Sequence, residues 1–174
     1  CCGPCLTAVA ERLLPEYDVS ALWYNPNIDD PAEHDLRLQH AERVASHYGI
    51  KLDCAEDDPA GWLEAVKGLE QEPEGGRRCP VCFEYRLRRA AEFAAQSGRA
   101  FLATTLTISP HKPVEAVNRI GFRVSAELGV GFVERNFRLA GGFQRSIELS
   151  NALGLYRQRF CGCSFARRSE GEGR

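Results

Sequence analysis

Eight cysteines in a chain of 174 residues fall into three tight groups, and any fold must satisfy that pattern. Cys1, Cys2 and Cys5 sit in CCGPC, Cys79 and Cys82 in CPVC, and Cys161 and Cys163 in CGC. Cys54 stands apart and reads as a small buried hydrophobe. Adjacent and one-apart cysteines bridge each other poorly, but they can converge on metal. Three groups from distant parts of the chain therefore point to a thiolate-rich centre assembled by the fold. Soft thiolates select zinc, copper(I) or iron–sulfur.

At this length the chain forms one domain with a core of its own and needs no disulfide framework. No basic segment followed by an apolar run marks a signal peptide. No stretch approaches the roughly 18 apolar residues of a membrane span. The expected setting is cytoplasmic, where clustered cysteines are metal-binding or catalytic. The sequence also leads us to expect a further strand ahead of Cys1.

The net charge of −2 hides a split. Residues 1–74 carry 5 basic and 16 acidic side chains, and residues 75–174 carry 17 and 8. Of the 22 basic residues 19 are arginine, the side chain suited to bidentate phosphate contact. A basic half points to nucleic acid or another polyanion, while ordinary solvated faces would show the same counts.

Strand and helix signals alternate along the chain. Helices are predicted from Pro4 to Leu14, Pro31 to Tyr48, Pro59 to Val66, Pro80 to Gln96, Val114 to Leu128 and Gln144 to Leu153. Strands are predicted at Val19–Tyr24, Ile50–Cys54, Ala100–Thr105 and Gly131–Glu134. This order argues for a three-layer α/β fold with a parallel sheet. Ligands in such sheets bind beyond the carboxyl ends of the strands. CCGPC and the TISPHKP loop should meet there. CPVC should open a helix whose amides stabilise thiolates. The domain should cover residues 1–165, with a disordered polar tail at 166–174.

CPVC alone admits a thioredoxin-like dithiol, half of a zinc site or part of an iron–sulfur site. Seven clustered cysteines exceed one tetrahedral site. The surplus favours a cluster plus a second metal, or a cluster plus a redox pair. His111 and Lys112 lie in a loop with Ser109, suited to substrate or phosphate. His34, His40 and His47 should be solvated, and Trp23 and Trp62 should be core. Arg86, Arg88, Arg89, Arg157 and Arg159 flank the cysteines, and either ion pairing or phosphate contact explains them. Tyr24, Phe83, Tyr85 and Tyr156 are candidate platforms for a stacked base.

CCGPC, YNPNI at 24–28, the run from Trp62 to Leu87, TTLTISPHK at 104–112 and the run from Arg145 to Cys163 together resemble the cobalamin-independent epoxyqueuosine reductase family, QueH type. The resemblance spans nearly the whole chain. It implies a fold similar to the Rossmann-like nucleotide hydrolase and PP-loop group, with cysteine-bearing loops at the strand ends. It implies reduction of epoxyqueuosine to queuosine at the wobble position of tRNA with GUN anticodons, fed by an unidentified electron donor. It implies a 4Fe–4S cluster on Cys1, Cys2, Cys79 and Cys82, and an adjacent single iron. Cys5, Cys161 and Cys163 are then left for that iron or a redox pair, with Asp58 as a candidate further ligand. His111 or Lys112 would protonate the departing oxygen, and Arg86, Arg89, Arg157 and Arg159 would meet phosphates. A cluster-dependent tRNA sulfurtransferase and a zinc-stabilised RNA-binding module are the competing readings.

Overall fold

The computed structural model describes residues 2–166. Cys1 and residues 167–174, which hold most of the expected tail, lie outside the described residues. Ala166 is itself buried. The elements run α1 (Gly3–Leu13), β1 (Ala21–Trp23), α2 (Pro31–Tyr48), β2 (Leu52–Cys54), α3 (Pro59–Ala65), α4 (Arg78–Gln96), β3 (Phe101–Leu102), a 3₁₀ turn (Thr105–Ile108), α5 (Val114–Glu127), β4 (Gly131–Phe132) and α6 (Gly142–Ala152). The helices match the sequence signals closely. Asp30 caps α2, its Oδ1 accepting from the amides of Ala32 and Glu33. Pro31 then supplies a first turn that needs no amide of its own.

The strands are parallel, as expected, but shorter than the sequence predicts. β1 pairs with β2 through Ala21–Leu52 to Trp23–Cys54, and β3 pairs with β4 through Phe101–Gly131 and Leu102–Phe132. Among the described residues they form two separate two-stranded sheets. A cavity of about 460 Å³ lies between β1 and β3, lined by Leu6 and Val9 of α1 on one side and Leu87 and Ala94 of α4 on the other. The facing edges of β1 and β3 do not reach each other across it, so neither ladder extends. Residues 103–105, read as the end of a strand, instead lead into the 3₁₀ segment.

Two helix pairs carry the core. α1 packs on α2 and α6, and α4 packs on α5. Phe83 and Leu87 of α4 interlock with Val117, Ile120 and Val124 of α5. Phe83 is thus core rather than a platform for a base. Ala8, Val9 and Leu13 of α1 meet Ile108 and Phe137, which brings CCGPC beside the loop after β3, as anticipated. Trp23 and Trp62 are buried, as expected. Cys54, the last residue of β2, is exposed rather than buried. His34 is not simply solvated: Trp23 Nε1 donates to its Nε2 at 2.9 Å, and Asp57 Oδ2 lies 2.9 Å from the same nitrogen. His40 is half-buried and His47 exposed. None of the described helices is long and apolar enough to cross a membrane.

Gly3 sets the depth of the first cysteine motif. A Cβ there would lie 2.4 Å from the backbone oxygen of His40, which a helix cannot withdraw. Gly3→Ala should therefore push α1 off α2 and cost about 1–3 kcal/mol, as overpacking typically does. Urea denaturation of the two proteins measures it.

Candidate metal centre

The loops that follow the strands converge. Tyr24–Asn27 follow β1, Asp57 and Asp58 follow β2, and Thr104–Lys112 follow β3. Buried Asn25 ties the first two, its backbone N–H donating to Asp57 Oδ1 at 2.6 Å. Arg86 of α4 donates to Asn25 Oδ1 at 2.6 Å. The side chains that follow strand ends are those a parallel α/β fold offers to a ligand.

Cys2 and Cys5 occupy the first turn of α1 and pair with each other. A hydrogen bond from the Cys5 thiol lowers the pKa of the Cys2 thiol despite its burial. That same bond, with burial, drives Cys5 upward. Gln158 Nε2 adds a donor to Cys2 Sγ at 3.0 Å and links this pair to the approach of the CGC motif.

Cys79, Cys82, Cys161 and Cys163 form the second gathering. Helix α4 begins at Arg78, two residues before the expected start, so both CPVC cysteines are helical. Cys82 and Cys163 pack in one cluster, which brings CPVC and CGC together. Burial pushes the Cys82 thiol up to about 11 and raises Cys79 and Cys163 as well. The helix start was expected to favour thiolates here, but burial outweighs its amides. Gly75 N still donates to Cys79 Sγ at 3.2 Å. Cys82 and Cys163 share an apolar pocket with Trp62 and Val66, flanked by Phe165. Trp62 Nε1 is buried with no well-formed hydrogen bond among the described residues, and the sulfur it approaches is that of Cys82.

Cations border this sulfur group. Lys112 Nζ stands 2.9 Å from Glu74 Oε1 and 3.4 Å from Cys161 Sγ. Burial works against the Lys112 ammonium, but the charges of Cys161 and Glu74 outweigh it and the net shift is upward. Arg78, 2% exposed, donates to the carbonyl oxygens of Leu69, Glu70 and Glu72. Its charge favours the anionic forms of Cys79 and Cys163.

No group of three or more His, Cys, Asp or Glu among the described residues is placed to hold a metal ion as it stands. The donor chemistry nevertheless fits a thiolate-bound iron centre. It offers sulfur ligands from separate motifs, the buried Trp62 N–H beside one of them, and buried cations to balance an anionic group. Thiols held protonated by burial are poor nucleophiles, and a metal is what would ionise them.

The other expected site residues are spread more widely. Asp58 is exposed and caps α3, its Oδ1 accepting from Gly61 N at 2.9 Å and its Oδ2 from Tyr85 at 2.8 Å. It lines a cavity of about 740 Å³ with Tyr24, Asp57, Tyr85, Arg88 and Arg89. His111 is exposed. Arg88 is paired with Glu84 and Glu127, and Arg89 with Glu92, which supports ion pairing for those two. Arg157 donates to Ser146 and Ser150, while Arg159 is exposed. Tyr156 donates to Glu33. Sequence reading placed Trp62 only in the core and missed Glu74, Asp57, Arg78 and Arg37. The Glu33–Arg37 spacing on α2 was the one local signal for the last of these.

Fold and site define a class: a parallel α/β protein that gathers cysteines from distant motifs beyond its strand ends. The sequence model of the family described as epoxyqueuosine reductase QueH matches residues 1–169. A protein of that name from Acinetobacter baylyi is 36% identical over 170 residues, covering 97% of this chain and 78% of its own. One from Streptococcus pyogenes serotype M1 is 35% identical, covering 98% and 69%. One from Thermotoga maritima is 34% identical, covering 95% and 86%. The chain belongs to the epoxyqueuosine reductase QueH family, and it is an oxidoreductase.

Proposed function

We propose that this protein reduces epoxyqueuosine to queuosine at the wobble position of tRNA in the cytoplasm, using thiolate-bound iron. The observation that carries the reading, beside the family, is that CPVC and CGC come together, Cys82 packing with Cys163 and Lys112 Nζ standing 3.4 Å from Cys161 Sγ. We assign Cys1, Cys2, Cys79 and Cys82 to a 4Fe–4S cluster. Cys5, Cys161 and Cys163 go to an adjacent single iron or a redox pair. Asp58 can serve that iron only by giving up its bond from Tyr85. The two half-sheets read as parts of one three-layer Rossmann-like sheet, interrupted by the cavity between β1 and β3.

The reaction consumes two electrons and two protons, breaks both epoxide C–O bonds, forms the ring double bond and releases water. Bound iron would supply electron transfer and polarise the departing oxygen. The chain's own residues do the rest. Lys112 Nζ holds a proton beside Cys161 and can donate it to that oxygen. Trp62, Phe83 and Phe165 keep the centre dry. Tyr24 and Tyr85 in the larger cavity suit an unstacked base, with Asp57 and Asp58 as acceptors at its edge. Arg86, Arg89, Arg157 and Arg159 would carry anticodon-loop phosphates, the first three by loosening the partners they now hold. The substrate is tRNA with GUN anticodons, and the electron donor is a separate protein or reductant.

An anaerobic absorption spectrum with iron, sulfide and zinc analysis tests the metal assignment. A broad band near roughly 400 nm with about four or five irons is expected. Turnover of epoxyqueuosine-containing tRNA by the same sample completes the test. A colourless sample that retains only zinc after reconstitution with iron and sulfide would overturn it.

A further inference from the structure

Arg37 lies on α2, 124 residues before Cys161 in the sequence. Yet it is 1% exposed and aims its guanidinium at that motif. Nη1 donates to the carbonyl oxygen of Cys161 at 3.0 Å, and Nη2 to that of Phe160 at 3.2 Å. The guanidinium also stands 5.0 Å from the centroid of the Phe160 ring. The remaining edge is held by Glu33, with Nε donating to Oε1 at 2.6 Å. Tyr156 OH donates to the same carboxylate, 3.1 and 3.0 Å from its two oxygens. A buried guanidinium is expensive unless its fork is filled, and here it is filled by two consecutive carbonyls of the cysteine loop.

The loop leaves no slack around that fork. Gly162 has φ +105°, and a Cβ there would lie 3.0 Å from both Arg37 Nη1 and Ile28 Cγ1. Cys161 is thus fixed at two points, its carbonyl by Arg37 and its sulfur by Lys112. On the far side, Arg78 stands 5.4 Å from the centroid of the Phe165 ring. The irregular segment from Phe160 to Phe165 is therefore gripped at both ends by a buried cation.

We propose that Arg37, supported by Glu33 and Tyr156, is the positioning residue that sets where Cys161 and Cys163 point. It touches neither sulfur and acts through the loop backbone. The activity arm of the test rests on the reductase reading, and the thiol arm does not.

The test compares the wild-type chain with Arg37→Lys and Tyr156→Phe, each full-length, reduced and metal-free. Lysine keeps the charge beside Glu33 but cannot bridge two carbonyls. The rate of iodoacetamide labelling of each cysteine is followed by peptide mass spectrometry. Local opening of the loop should speed Cys161 and Cys163 by about tenfold in Arg37→Lys and about threefold in Tyr156→Phe, with Cys54 and Cys79 within about twofold. Unchanged rates at Cys161 and Cys163 in both variants would overturn the proposal. Uniform acceleration of Cys79 along with them would overturn it too, since Arg37 would then support the fold in general. If Arg37→Lys does not fold, Tyr156→Phe decides by the same criteria, because the hydroxyl of half-buried Tyr156 can be removed while Arg37 still pairs with Glu33. In wild-type-like reconstituted enzyme, Arg37→Lys should lower kcat more than it raises KM for tRNA. A wild-type chain without reductase activity would refute the proposed function and leave the labelling pattern to judge Arg37 independently.

Discussion

Cys82→Ser is expected to remove both iron–sulfur absorbance and epoxyqueuosine-reducing activity, while the exposed Cys54→Ser leaves both intact. Cys82 is buried on the first turn and a half of α4, packed with Cys163, Trp62 and Val66. Its thiol is held up at about 11 by burial, so it contributes little as a free nucleophile. Its placement becomes intelligible if a metal takes the sulfur as thiolate. Serine preserves the size but is a hard, weakly acidic donor that soft iron–sulfur centres do not favour. Loss of an outer-shell partner alone typically costs 10–100-fold, so a lost ligand should cost more than about 100-fold in activity. Iron and sulfide analysis after anaerobic reconstitution must fall in parallel. A variant that keeps its iron and loses only turnover would make Cys82 a redox thiol rather than a ligand. A buried serine hydroxyl also costs about 1–3 kcal/mol if it finds no partner, so thermal unfolding should accompany the assay. Cys54→Ser should stay within about 0.5 kcal/mol, as surface substitutions usually do.

The helices were legible because their cues are local. Asp30-Pro31 opens α2, and the 3-and-4 spacing from Val114 to Leu128 drew α5 to within a residue. Strand extent was less legible, since a ladder ends where its partner ends and not where β-favouring residues stop. Ala103 and Thr104 look like strand continuation, but they face the cavity between the half-sheets and run into a 3₁₀ turn. Cys54 failed for a related reason: it ends the short strand β2, where its burial depends on what packs over that end. The cysteine groups themselves were legible by spacing. Their environment was not, because burial, rather than the helix start, dominates the state of Cys79 and Cys82. The least visible parts were the charged side chains around the centre. Arg37, Arg78 and Glu74 belong to segments far from the cysteine they serve or to a loop that reads as polar filler. Only tertiary folding reveals that Arg37 faces Cys161.

Lys112→Met should leave the cysteine centre assembled and slow the chemical step by about 10²–10⁴-fold, the range for removing a general acid. The argument starts from position. Lys112 is the charged side chain that touches both a carboxylate and a cysteine sulfur at the centre, at 2.9 and 3.4 Å. It also stands 5.9 Å from the centroid of the Phe83 ring, so its stem is packed and its ammonium is aimed. Epoxide opening leaves an alkoxide far more basic than an amine, and an ammonium at that place can neutralise it. Methionine keeps the length of the stem and removes only the charge and the proton. Glu74, left without its partner, is partly exposed and can be hydrated, with 29% of its side chain accessible. Glu74→Gln is therefore the control: it weakens the grip on the ammonium but keeps the proton, and its effect should be less than about tenfold. His111 is the competing acid from the same loop, but it is exposed and has no such seat. His111→Gln should change the single-turnover rate by less than about threefold, well below what loss of the acid would do. Single-turnover rates on epoxyqueuosine-containing tRNA, with iron content measured on each sample, separate the cases. Loss of iron in Lys112→Met would recast the lysine as a counter-charge that holds Cys161 anionic. A large loss in His111→Gln with little in Lys112→Met would move the acid to the histidine.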